Sequence, residues 1–240
     1  MENYVKVGES RIWTEISGTQ KDKFAILCNG GAGCCDYLLP VAQMIDDGYT
    51  VIRFEQRRCG RSDKDGQYDI DTIISDLEAI REFYGIPSWI VGGHSWGAVL
   101  SLLYAIKHPT KVDSFLFIAG VGVQNNREWI AEFLAKREEF GETLPDMAYL
   151  FSEEVNKAVN ISFRKYIQQP SLYKNISNLK MPALLLCAQK DIRPNWPVQQ
   201  IHALIENSVL VTIPEAAHYI WLTHYDEMKI ELRKFLGLSF

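Results

Sequence analysis

Three residue types suited to acyl transfer appear along this chain in a workable order: a serine between glycines, then an aspartate, then a histidine. The serine lies in Gly93-His94-Ser95-Trp96-Gly97. Just before it, Trp89-Ile90-Val91-Gly92 reads as a short buried strand. Just after it, residues 98–108 read as a helix closed by Pro109. A G-x-S-x-G between a strand and a helix predicts a nucleophile elbow, a turn so tight that the flanking positions must lack side chains. Such a turn lifts the Ser95 hydroxyl clear of the sheet and aims the helix N-terminus at the reaction centre.

A serine hydroxyl is a weak nucleophile near neutral pH and needs an adjacent base, itself oriented by an acid. With an elbow, acid and base follow the serine in that order. Of the downstream histidines, His108 ends the elbow helix beside Pro109, and His202 falls within a helical pattern. His218 instead follows the last strand, in Glu215-Ala216-Ala217-His218, at the sheet end where Ser95 is expected. It is the predicted base, with His224 as the fallback. Asp191 stands three residues past the end of an apolar strand and is the predicted acid, with Glu215 its nearest competitor. His94 adjoins the nucleophile, but its side chain is expected to point away, in a structural role. Donors for a developing oxyanion are expected from the amide of Trp96 and from the loop Asn29-Gly30-Gly31-Ala32-Gly33, where Gly31 is the chosen donor. Trp129, Phe133, Tyr149, Trp196 and Trp221 are candidates to line an apolar acyl pocket.

The elements that must position these groups alternate. Residues 4–7 and 11–17 read as an antiparallel hairpin. Strands follow at 24–28, 49–54, 89–92, 112–119, 183–188 and 209–213. Helices are predicted over 38–46, 70–84, 98–108, 198–205 and 225–236. Such alternation predicts an α/β fold, a mostly parallel sheet with helices on both faces and ligands at the carboxyl ends of its strands. It breaks once: from 122 to 178 there are only helical stretches, with Glu128, Glu132, Glu138, Glu139 and Glu142 near their start. Too long for a connecting loop, this insert reads as a helical cap dividing a core of residues 1–121 and 179–240.

The net charge of −5 argues against a nucleic-acid surface. No apolar run approaches the length of a membrane span, and residues 1–10 do not resemble a secretory signal, so a cytoplasmic location is expected. Five scattered cysteines lack metal-ligand spacing, and the adjacent Cys34 and Cys35 are poorly placed for a disulfide. Neither a metal nor a cofactor is expected, and a homodimer is left open.

Taken together, these motifs resemble the α/β-hydrolase superfamily, most closely its proline iminopeptidase-like serine hydrolases. The H-G-G-P-G of that group is matched by Asn29-Gly30-Gly31-Ala32-Gly33. Its D-Q-R-G-x-G-R-S is matched by Glu55-Gln56-Arg57-Arg58-Cys59-Gly60-Arg61-Ser62, and its G-G-S-W-G in part by the elbow. Arg57, Gly60, Arg61 and Ser62 are expected to brace the loop under the site. In the aminopeptidases a cap segment E-N-H-Y-F supplies a glutamate for the substrate's free amino group. The matching stretch here is Val159-Asn160-Ile161-Ser162-Phe163, with Val159 in the glutamate's place and Glu153 or Glu154 as substitutes. The resemblance implies a Ser95-Asp191-His218 hydrolase acting on small esters, amides or short peptides. An aminopeptidase, a lyase or a ligand receptor on the same frame remain the alternatives.

Overall fold

The computed structural model describes residues 1–124 and 126–239; Asn125 in the predicted insert and Phe240 at the C-terminus lie outside them. In chain order the elements are β1 (Glu2–Val7), β2 (Ser10–Ser17), β3 (Phe24–Cys28), α1 (Leu39–Ala42), β4 (Thr50–Phe54), α2 (Ile70–Phe83), β5 (Trp89–His94), α3 (Trp96–Lys107) and β6 (Val112–Ile118). After these come α4 (Arg127–Phe140), α5 (Glu153–Tyr166), α6 (Leu172–Ser177), β7 (Ala183–Ala188), α7 (Trp196–Leu204), β8 (Ser208–Ile213) and α8 (Tyr225–Leu236).

Among the described residues these strands form one eight-stranded sheet, ordered β1-β2-β4-β3-β5-β6-β7-β8. The β1–β2 and β2–β4 pairs are antiparallel and the others parallel. Strands β4, β5 and β7 are buried at every residue, as expected of parallel strands covered on both faces. One core layer packs residues of α2, α3 and α7, such as Leu77, Leu100 and Ile201, against the sheet. The opposite layer is built from α1 and α8, with Val41, Met228 and Leu232.

One helix differs from the sequence expectation. The helix predicted over 38–46 keeps only the four residues of α1 before breaking into turns. There Arg233, from α8, donates to the Met44 carbonyl at 2.9 Å and grips Asp47 at 2.7 and 2.8 Å. That contact fixes the Asp46-Asp47-Gly48 turn into β4. Helix α6, within the segment expected to be helical, leads the chain back into β7.

Between β6 and β7 the chain carries α4, α5 and α6. Helix α5 buries Val155, Val159 and Phe163 in the first core layer. Helix α4, by contrast, has no buried residue. The described residues include no helix long and apolar enough to cross a membrane.

Candidate active site

Where β5 ends, the backbone reverses into α3 through a single residue, Ser95, at φ 56° and ψ −116°. Positive φ strains a residue bearing a Cβ by about 1–3 kcal/mol, so the surroundings must enforce it. Glycine makes that possible. A Cβ on Gly93 would lie 2.2 Å from the Gly97 backbone, and one on Gly97 only 1.9 Å from the Cys28 carbonyl oxygen. Strand β3 and helix α3 therefore touch through bare backbone, and the elbow inferred from the sequence is present.

The loops leaving β7 and β8 meet beside it. Ala188 and Ile213 are paired at the strand ends, and the Lys190 amide donates to the Ala216 carbonyl at 2.8 Å. This brings Asp191 and His218 together, with Nδ1 of His218 2.6 Å from the Asp191 carboxylate. Both side chains are almost wholly buried. The other ring nitrogen, Nε2, is buried without a hydrogen-bond partner among the described residues. Burial pushes the His218 imidazole below its ordinary value, and Asp191 only partly opposes this. For Asp191, burial acts to raise the carboxyl, but His218 and Arg193 outweigh it and hold the group low. The pair is therefore a carboxylate and a neutral imidazole near pH 7. Nδ1 carries the proton toward Asp191, which leaves Nε2 as an acceptor.

The competing residues sit elsewhere. Glu215 is exposed and ion-paired with Lys190 at 2.5 Å. His202 bonds Ser208 at 2.7 Å, His224 bonds Thr223 at 2.8 Å on the surface, and His108 lies 3.9 Å from Glu78.

Three contributors to this geometry had no motif to mark them. The first is Tyr37, whose buried hydroxyl accepts from the Gly30 amide at 2.7 Å and lies 2.8 Å from Nδ1 of His94. Since that hydroxyl already accepts from an amide, its own proton goes to Nδ1. His94 is then protonated at Nε2, which donates to the His218 carbonyl at 3.1 Å. Burial, with the neighbouring His218 acting in the same direction, keeps His94 well below the usual imidazole range and so neutral. A continuous relay thus ties the glycine loop to the backbone of His218. His94 has the structural role expected of it, and Tyr37 supplies its other half.

Arg193 and Glu142 are the other two. The Arg193 amide donates to Asp191 at 2.8 Å, and its guanidinium lies 3.5 Å from the same oxygen while also binding Glu142 of the insert. Nothing local marks the Arg193–Glu142 contact, because Glu142 reaches Arg193 across 51 residues.

The glycine loop lies against the elbow. Gly30 has no room for a side chain: a Cβ there would meet the Tyr37 hydroxyl at 2.4 Å and Ser95 Cβ at 2.8 Å. Gly31 adopts φ +58°. Its amide has no acceptor among the described residues. Trp96 opens α3, so its amide has no acceptor within the helix. Below the loop, Glu55 is fully buried and takes the Asp36 amide at 3.1 Å and the Arg61 guanidinium at 2.7 Å. Ser62 donates to the Glu55 carbonyl at 2.7 Å, and Arg57 grips Asp76 at 2.7 and 2.8 Å.

Ser95, Gly31 and Trp96 share a cavity of about 510 Å³ with residues of α4 and α5. Trp129 and Phe133, stacked with centroids 5.3 Å apart, form part of its wall. The other three aromatic candidates are not on it. Tyr149 faces a separate surface groove beside Arg58, because its segment runs back over the Glu55–Gly60 loop. Trp221 packs beneath the site against Tyr37, stacked at 6.0 Å. Trp196 starts α7 and does not reach the cavity. Helix α5 docks on the glycine loop, Asn156 donating to the Ala32 carbonyl at 2.9 Å and the Ser152 amide to Gly33 at 2.9 Å.

Comparison with known proteins agrees with this architecture. The family model described as alpha/beta hydrolase fold matches residues 26–171. The chain belongs to that family. Its relatives include a putative proline iminopeptidase of Mycoplasma genitalium, 26% identical over 173 residues that cover 70% of this chain and 54% of that protein. The proline iminopeptidase of Neisseria gonorrhoeae is 34% identical over 119 residues, 45% of this chain and 36% of that one. The chain thus spans about half the length, or less, of these curated relatives. In fold, a crystal structure of proline iminopeptidase from Mycobacterium smegmatis superposes with a TM-score of 0.76 at 16% identity, covering 99% of this chain and 98% of that one. The similarity to the proline iminopeptidase group inferred from the motifs is borne out.

Proposed function

We propose that this chain is a serine hydrolase of small esters and amides, with Ser95 as nucleophile, His218 as base and Asp191 as the acid that orients it. One observation carries the reading: His218 is held by Asp191 through Nδ1 while its buried Nε2 stays unpartnered, in the loop beside the elbow. On substrate binding the Ser95 hydroxyl attacks the carbonyl carbon and its proton passes to Nε2. The amides of Gly31 and Trp96 hold the resulting oxyanion. As the tetrahedral intermediate collapses, the carbonyl carbon's bond to the leaving group breaks, and Nε2 returns the proton to that group. Water then attacks the acyl-serine, giving a proton to Nε2. The acyl–oxygen bond breaks, and Ser95 recovers its hydrogen from the imidazolium. Asp191 stabilises that imidazolium and remains ionised throughout.

The helical insert acts here as a cap, since residues of α4 and α5 complete the cavity over Ser95. Stopped-flow hydrolysis of p-nitrophenyl butyrate tests the whole assignment. A burst of p-nitrophenolate stoichiometric with protein, absent in Ser95→Ala, is the expected result. Turnover preserved in Ser95→Ala overturns it, and the absence of any burst or turnover would favour a receptor.

The names of the relatives favour a second reading, removal of N-terminal proline. The cavity speaks against it, because no carboxylate lines the described wall to meet a substrate ammonium. Val159 is buried in the core. Glu154 is paired with Arg58 at 2.9 Å, and Glu153 lines the separate groove beside Arg58. Proline β-naphthylamide is therefore expected to be a poorer substrate than the butyrate ester.

A further inference from the structure

The cavity over Ser95 is charged in one direction only. Its ionisable side chains among the described residues are Arg193 and Arg164. Arg193 is already satisfied by Glu142 and Asp191. Arg164 has no carboxylate partner among the described residues, although it belongs to a chain of net charge −5. Trp96 and Trp129 line the same wall, with their indole N–H groups buried away from the open space. Arg164 is therefore the one cation on this wall without a carboxylate partner among the described residues, beside an aromatic stretch of Trp96, Trp129, Phe133 and Phe163.

The position of Arg164 is fixed by its helix. Asn156, Asn160, Phe163 and Arg164 share one face of α5, at spacings of four, seven and eight residues. Asn156 anchors that face on the Ala32 carbonyl, and the Phe163 ring meets Trp96 edge-on at 5.3 Å. Eight residues of helix place Arg164 about 12 Å along the axis from the Asn156 anchor at the glycine loop. Helical side chains lean toward their own N-terminus, which inclines Arg164 back toward that loop. A group bound there would sit several ångströms from the reacting carbonyl, with Asn160 and Phe163 on the helix face between.

We propose that the site takes esters or amides whose acyl chain is apolar along its length and ends in a carboxylate, with Arg164 as the residue that selects that charge. This inference rests on the serine-hydrolase reading for its substrate and adds the class of acid released. It also accounts for the missing glutamate: a wall that binds an anion repels the ammonium of a free N-terminus.

The test compares p-nitrophenyl hydrogen adipate with its neutral isostere, p-nitrophenyl adipamate, each corrected for spontaneous hydrolysis. The adipate is expected to have a kcat/KM about two- to fivefold higher, the scale of a charge pair at an exposed guanidinium. The ratio is expected to fall to about one in Arg164→Gln and to recover in part in Arg164→Lys. A wild-type ratio of one or less, or a preference surviving in Arg164→Gln, overturns the proposal. Calorimetry with 4-phenylbutyrate and 4-phenylbutyramide reads recognition without chemistry. If neither ester is turned over, the hydrolase reading fails, and the calorimetry still decides the anion site. Tighter binding of the carboxylate in wild type, lost in Arg164→Gln, supports the site; equal binding sinks it.

Discussion

Removing one oxygen atom from Tyr37 should damage both folding and turnover. In Tyr37→Phe the ring stays in place, but the Gly30 amide loses its acceptor and His94 Nδ1 loses its donor. Both groups are buried, so water does not readily replace the hydroxyl. An orphaned buried polar group costs about 1–3 kcal/mol. Two of them, partly relieved by relaxation, give a loss of about 3 kcal/mol. For a chain of this size that moves a urea midpoint by about 1 M, at a slope of about 3 kcal/mol per M. Catalysis suffers separately, since Gly30 precedes the proposed oxyanion donor and His94 supports the His218 backbone. A displacement approaching 1 Å costs about 100-fold in rate, so kcat is expected to fall tenfold to 100-fold. Urea unfolding followed by tryptophan fluorescence and steady-state ester hydrolysis measure the two effects. A midpoint within about 0.3 M of wild type, with kcat unchanged, would refute the idea that this relay holds the two loops together.

Other perturbations separate further parts of the design. Gly97→Ala drives a Cβ to 1.9 Å from the Cys28 carbonyl and should cost more than about 4 kcal/mol, whereas Gly85→Ala, with open space around it, should cost about 1–2 kcal/mol from its φ of +63°; thermal melts compare them. Asp191→Asn should lower kcat about 10³- to 10⁴-fold with little change in KM, because the amide favours the wrong imidazole tautomer. The acid limb of kcat/KM should fall below the ordinary histidine value of 6.5, as burial lowers His218. Stability should follow the same sign: His94 and His218 are both lowered, so the unfolded chain binds more protons and the fold weakens as pH drops below about 6.5. A pH series of urea midpoints that rose on acidification would contradict this. Amide exchange should be faster in α4, which buries no residue, than in α3, where nearly every side chain is buried.

Much of the frame is legible locally. Strands such as FAILC and ALLLCA are apolar throughout, and the helices between them repeat every three to four residues, so the layered sheet follows from pattern. The elbow is legible because only glycine fits where a Cβ would stand 1.9 to 2.2 Å from neighbouring backbone, and that demand is written into Gly93 and Gly97. Asp191 and His218 could be picked out because each stands just past a strand, and parallel strands deliver such residues to one edge. The short α1 was less legible, because the side chain that holds the turns after it, Arg233, comes from the other end of the chain.

The sequence by itself therefore determined the order of elements, the strained turn and the residues presented at the sheet edge, since these depend on neighbours a few positions apart. Tertiary structure decided which polar groups satisfy one another. Tyr37 meets His94 across 57 residues, Arg193 meets Glu142 across 51, and Trp221 turns under the site rather than into the cavity. Such contacts depend on how two loops and an insert pack in space. Hydrogen bonds over those separations leave no periodic trace in the chain, because each needs only one suitable side chain at one point.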